Sequence, residues 1–152
     1  MTNRIVALFY KYIAYPLLKI YWFILRPQTQ GVKVIIRYKN QVLFIENTYR
    51  HNYWYLPGGG VKKGEEPENA GIREIKEELS INLTKIKDHG ILTFVDENKR
   101  DQVWVYSATV NNPKFSIDPK EIKKAKWIKI KDFTKEDLSP NTLKCLKLAA
   151  II

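Results

Sequence analysis

Cysteine is nearly absent from this chain of 152 residues: Cys145 is the only one. An internal disulfide is therefore excluded, and the composition fits a reducing compartment. Cys145 lies between Leu143, Leu146 and Leu148 with no histidine close in sequence, so it reads as a buried structural thiol rather than a nucleophile. Histidine is almost as scarce. His51 and His89 stand far apart and offer no metal-ligand spacing, which excludes a Cys/His zinc site and leaves both as surface or loop residues. Acidic residues are outnumbered, 16 against 26 Lys and Arg, giving a net charge of +10. That excess attracts polyanions such as nucleotides, nucleic acid or an anionic membrane face, although a coding bias toward lysine accounts for it equally well. No internal repeat or low-complexity stretch is found. With 45% hydrophobic and 28% charged residues, the chain reads as one globular domain with room for one core.

The first 26 residues differ from the rest. From Ile5 to Leu25 nearly every side chain is apolar or aromatic, interrupted by Lys11, Pro16 and Lys19. On a helical projection Arg4, Lys11, Lys19 and Arg26 fall within an arc of roughly 80°, leaving a wide greasy face. Three readings stay open: an interfacial anchor on anionic lipid, a transmembrane span, and packing on the domain or on a second copy in a homodimer. Lys11, Lys19 and Pro16 weigh against a span. A cleaved signal peptide is disfavoured, because Lys11 splits the apolar region and no Ala-x-Ala-like site follows. The expected organisation is an N-terminal amphipathic helix over 1–27, a linker at 27–31 and a globular domain over 31–152, cytoplasmic and peripheral on the inner face of the membrane.

Beyond the linker, Val32–Tyr38 and Gln41–Glu46 read as a hairpin turning at Lys39-Asn40, followed by a short strand at Tyr53–Leu56. Further strands are expected at Ile91–Val95, Gln102–Val110 and Ala125–Ile130. One helix should run from Pro67, placed where a missing N–H costs nothing, to Leu79. A last helix spans Lys135–Ala150, which Pro140 either splits or starts. Mixed strands with two core helices make an α/β sandwich.

The chemistry gathers on the Pro67 helix. Glu74, Glu77 and Glu78 at i, i+3 and i+4 share one face, while Ile72, Ile75 and Leu79 share another that can pack on a sheet. Clustered carboxylates repel unless a cation resides among them, and hard oxygen donors suit Mg²⁺ or Mn²⁺. Just before the helix, Gly58-Gly59-Gly60 lets the backbone approach a phosphate or a metal closely. Taken alone, these glutamates describe a solvated acidic helix face better than a site.

The full spacing changes that. The run Gly59-x5-Glu65-x7-Arg73-Glu74-Ile75-Lys76-Glu77-Glu78-Leu79-Ser80-Ile81 resembles the Nudix box at every defining position except Ser80, where the family has glycine. Tyr55–Val61 resembles the strand and turn that lead into the box in bacterial Nudix hydrolases, and Glu121–Ile130 resembles a later strand. The resemblance spans about residues 31–152. It implies an α/β/α sandwich with a mixed sheet and a metal-dependent hydrolase of phosphoanhydride bonds in a nucleotide-like polyphosphate substrate. By the same resemblance, Glu74 and Glu78 bind metal, Glu77 binds metal or acts as the base, the Gly59 carbonyl completes the metal shell, and Glu65 pairs with Arg73 to hold loop against helix. Glu97 and Glu121 are alternative bases. Gly58, Gly59, Glu121 and Arg50 are the substrate contacts expected, with Tyr49, Tyr53 and Trp54 able to stack on a base and Trp54 equally suited to the core. A nucleotide-sensing module without turnover is the alternative, against which the intact glutamates argue. Direct nucleic-acid binding rests on charge alone, RNA ends as substrate excepted.

Overall fold

A computed structural model describes residues 28–48, 53–96 and 99–152. The N-terminal helix expected over 1–27, Arg50 and Glu97 lie outside the described residues. Residues 30–92 and 103–152 form one compact unit, which carries the candidate site.

Five strands form a mixed sheet: β1 (Gln28–Tyr38), β2 (Gln41–Asn47), β3 (Lys87–Asp96), β4 (Lys99–Thr109) and β5 (Ile122–Lys129), in the order β3-β4-β1-β2-β5. The β1–β2 hairpin turns at Lys39-Asn40 as expected, with Tyr38 opposite Gln41 and Arg37 opposite Val42. Strand β5 runs antiparallel along β2, from Gln41–Lys129 to Asn47–Ile122.

Strand alternation divides the core into two layers. Val32, Val34 and Ile36 of β1 point to the side covered by helix α1 (Pro67–Leu79), where they meet Ala70, Ile75 and Leu79, all fully buried. Ile35 points to the opposite side and joins Val42, Phe44, Cys145 and Leu146 beneath helix α2 (Pro140–Leu148). The sheet is thus sandwiched between the two helices, and Cys145 is a buried structural thiol.

Two local expectations need correcting, and one left open is resolved. Residues 28–31 are strand rather than linker, because Val61 N–H donates to the Gln30 carbonyl and Gly31 bridges Gly60. Gly31 serves close approach here: a Cβ on it would stand 3.3 Å from the Gly59 carbonyl oxygen. Tyr53–Leu56 makes no regular strand. Tyr55 exchanges both backbone hydrogen bonds with Ile45 at 2.9 Å, whereas Trp54 bridges Leu138 in parallel. Finally, of the two starts left open for α2, Lys135 and Pro140, the helix takes Pro140. The Ser139 hydroxyl accepts from Thr142 N–H at 3.1 Å and caps the helix, Pro140 occupies its first turn, and Ile130–Lys135 forms a separate 3₁₀ turn.

Candidate active site

The segment from Tyr55 to Val61 is wedged between β1 and β2. Val34 N–H donates to the Pro57 carbonyl at 3.0 Å and Val32 N–H to the Gly59 carbonyl at 2.9 Å, while Tyr55 pairs with Ile45 on the β2 side. The glycine turn is therefore part of the sheet's hydrogen-bond ladder. Gly58 adopts φ +126°, a conformation reserved for glycine, and a Cβ there would fall 2.3 Å from the Val32 carbonyl oxygen. The Lys33 ammonium donates to the Leu56 carbonyl at 2.9 Å and the Gly58 carbonyl at 3.0 Å, fixing the turn from its other side.

Helix α1 follows this turn. Glu66 precedes it without a side-chain cap, Pro67 opens it, and it ends at Ser80, whose φ of 55° is left-handed and whose N–H bonds the Lys76 carbonyl. Ser80 therefore takes the conformation that the box glycine would favour, at a steric cost of about 1 kcal/mol.

The three carboxylates do not face outward alike, which corrects the picture of a uniformly solvated acidic stripe. The Glu77 side chain is 56% exposed and the Glu74 side chain 13%, whereas Glu78 is buried at 5%. Glu78 turns inward, and its Oε2 accepts from Gly58 N–H at 2.9 Å. Burial pushes its carboxyl up to about 7, offset in part by the Lys33 ammonium and the Gly58 amide and reinforced by Glu74 and Glu121. Asp118 N–H bonds the Glu78 carbonyl at 3.0 Å, so the turn before β5 covers the end of α1 and brings Glu121 to the edge of the site. That covering turn is a tertiary effect which helix periodicity does not reveal.

Glu74 lies against Gly59. A Cβ at Gly59 would come within 2.4 Å of its carboxylate, so the missing side chain makes the cradle in which that carboxylate sits. Arg73 ties the turn to the helix. Its Nε and Nη2 grip both oxygens of Glu65 at 2.8 and 2.9 Å, and Nη2 also donates to the Gly60 carbonyl at 3.0 Å. Its Nη1 reaches Glu74 at 2.6 Å and Glu77 at 3.1 Å. Hydrogen bonds from Arg73 and from the Lys62 amide hold the Glu65 carboxyl down to about 2, and the bonds to Glu65, Glu74 and Glu77 raise Arg73 further above its usual range.

The chemistry of the donor set fits a hard divalent cation: three carboxylates of one helix face, backed by carbonyls of the glycine turn. Among the described residues no three acidic groups already converge as a preformed metal cluster, since Glu74 and Glu77 turn to Arg73 and Glu78 to Gly58. The Gly59 carbonyl is engaged by Val32 N–H and keeps one lone pair for a further partner. Of the expected stacking residues, Tyr53 is 45% exposed and meets Tyr55 edge-on at 6.5 Å. Trp54 packs on the α2-side core with the Lys126 ammonium 4.5 Å from its ring, the core alternative. Lys33 was not singled out by sequence. As one lysine among many on a strand, it gave no signal before the turn folded onto it.

Comparison with known proteins agrees with this geometry. Residues 27–148 match the family model for the NUDIX domain. The chain is 28% identical over 97 residues to human diphosphoinositol polyphosphate phosphohydrolase 2, covering 64% of this chain and 54% of the relative, so it spans about half the length of that protein. It is 33% identical over 110 residues to the nucleoside triphosphatase NudI of Escherichia coli O139:H28, covering 65% of this chain and 77% of the relative. In fold it is similar to the crystal structure of a MutT NUDIX hydrolase from Burkholderia pseudomallei, with a TM-score of 0.72 at 24% identity over 80% of this chain and 98% of that one. The glycine turn, the Arg73–Glu65 clasp and the carboxylate face of α1 are thus set in a sheet of matching fold, and the chain belongs to the Nudix family.

Proposed function

We propose that the protein is a Mg²⁺- or Mn²⁺-dependent pyrophosphohydrolase that cleaves a phosphoanhydride bond in a nucleoside diphosphate derivative. The observation that carries this reading is the buried Glu78 carboxylate, anchored on the Gly58 amide beside Glu74 and Glu77. Burial of a carboxylate is costly unless a charge partner compensates it, which marks Glu78 as a functional group rather than a packing one. Glu74, Glu77 and Glu78 would hold the metal, with the glycine-turn carbonyls beside them. When bound, a divalent cation supplies charge neutralisation on the phosphates and a more acidic water.

The remaining work falls to the chain itself. Glu77, the most exposed of the three, is the acceptor for the proton of the attacking water. Arg73 holds Glu74 and Glu77 in register and fixes the turn through Glu65 and Gly60. Lys33 keeps a positive charge behind the turn, which favours the ionised form of Glu78. Glu121 and Arg50 are the proposed substrate contacts. The names of two relatives, a nucleoside triphosphatase and a diphosphoinositol polyphosphate phosphohydrolase, support a phosphoanhydride substrate. The basic, aromatic segment 4–26 is proposed to tether this activity to an anionic membrane surface.

The test is a panel of nucleoside triphosphates, dinucleoside polyphosphates, nucleotide sugars and 5′-triphosphorylated RNA, assayed with Mg²⁺ for release of phosphate, pyrophosphate or nucleoside monophosphate. Glu78→Gln should abolish hydrolysis of whichever substrate is turned over while leaving the circular dichroism spectrum unchanged. Full activity in that variant would sink the assignment.

A further inference from the structure

At the other end of β1 from the glycine turn lies a second polar cleft, of about 650 Å³. It is lined by Arg37 of β1, Lys85 and the β3 residues Lys87, Asp88 and His89, together with Ser107 of β4, and is closed by the residues that follow α2. Arg37 stands four residues along the strand from Lys33, roughly 13 Å at the rise of a β-strand.

Three cations face one carboxylate here. That carboxylate is already engaged, since Asp88 Oδ1 accepts from Gly90 N–H at 2.7 Å. His89 Nε2 and Ser107 Oγ are hydrogen-bonded at 2.7 Å, and burial lowers the imidazole below its usual range, so the pair lines the cleft as a neutral polar wall. The decisive group is Arg37, which stands half-buried at the cleft wall and is engaged by no carboxylate among the described residues. A guanidinium with lysines beside it matches the geometry and charge of a tetrahedral oxyanion.

We infer that this cleft, walled by Arg37, Lys85, Lys87 and Ser107, is a second anion site that takes a phosphate group independently of the carboxylate site on α1. Its chemistry is opposite to that of the first site, which gathers carboxylates and needs a metal before phosphate can approach. The second site supplies the positive charge from the chain itself and needs no metal.

This independence sets the experiment. The full-length, ¹⁵N-labelled protein is titrated with inorganic phosphate in EDTA, against chloride at matched ionic strength. Saturable amide shifts are expected at Lys85–His89 and Ser107–Thr109, with the Gly58–Gly60 turn unmoved. Arg37→Gln should weaken the affinity at least tenfold. The exposed pair Lys85→Gln/Lys87→Gln, which leaves the core untouched, should weaken it severalfold and decides the matter if Arg37→Gln does not fold. Shifts confined to the glycine turn and α1, shifts at the cleft that never saturate, or unchanged affinity in the folded variants would each overturn the inference.

Discussion

Gly58 and Gly59 are neighbours, yet replacing each with alanine should fail in a different way. In Gly58→Ala the new Cβ runs into the Val32–Lys33 peptide unit: the Val32 carbonyl oxygen at 2.3 Å, its carbon at 3.1 Å and Lys33 Cα at 3.2 Å. A carbon–oxygen contact needs a little over 3 Å, so the central strand must yield by about 1 Å. A side chain at φ +126° adds strain of about 1–3 kcal/mol, and forcing packed backbone apart adds a similar amount. The expected loss is about 4 kcal/mol, which lowers Tm by roughly 15 °C in a domain of this size. In Gly59→Ala the obstacle is the end of a flexible side chain, the Glu74 carboxylate at 2.4–2.8 Å. That carboxylate can swing away, giving up a partly exposed contact with Arg73 worth under about 1 kcal/mol. Stability should then fall by less than about 1 kcal/mol, while Mg²⁺-dependent turnover falls about 100-fold because one carboxylate is displaced. Urea melts followed by tryptophan fluorescence, paired with phosphate release, separate the two outcomes. If Gly59→Ala melts as early as Gly58→Ala, or keeps full turnover, the reasoning is refuted.

Other outcomes follow from the same structure. Ser80→Gly should raise stability by about 0.5–1 kcal/mol in a urea melt, since Ser80 sits at φ 55° in a left-handed helix end. The Cys145 thiol is pushed up from 9.0 to about 11 by burial. A raised folded value means that the contribution of the protonated thiol is complete below pH 9 and is lost as pH climbs toward 11, by about 2–3 kcal/mol. Cys145→Ala should lose less stability than the unmodified protein across that window, a difference that isolates the thiol from titrating lysines and tyrosines. Charge reversal at Lys11 and Lys19 to glutamate should release the full-length protein from sedimenting vesicles of anionic lipid; unchanged sedimentation would dispose of the anchor.

What could be read beforehand was what is local. The α1 boundaries follow from Pro67 and the 3.6-residue period, and both core layers follow from alternation in β1. The relation between Gly59, Glu65, Arg73 and the three glutamates is a fixed spacing along one turn and one helix, so it survives in one dimension. The burial of Glu78 was not legible, because it depends on the turn at Asp118–Glu121, some forty residues downstream, closing over the helix end. Nor was the wedge. Tyr53–Leu56 has the composition of a strand, but each of its neighbours comes from a different part of the chain, and no short-range pattern records that Trp54 reaches Leu138. Gln28–Gly31 misled for a related reason: its glycine looked like a break in regular structure and instead makes room for the Gly59 carbonyl.

That wedge also bears on how the enzyme-like site breathes. Binding loops commonly belong to the least stable part of a protein, opening locally at little cost while the rest stays folded. Here the amides of Val32 and Val34, both in the innermost strand, are locked to Gly59 and Pro57. Releasing the turn means unzipping the middle of the sheet, so those two amides should exchange with solvent at the slowest rates in the molecule. Adaptation to a new substrate therefore has to come from segments outside the wedge, because the turn itself cannot loosen until the whole domain does.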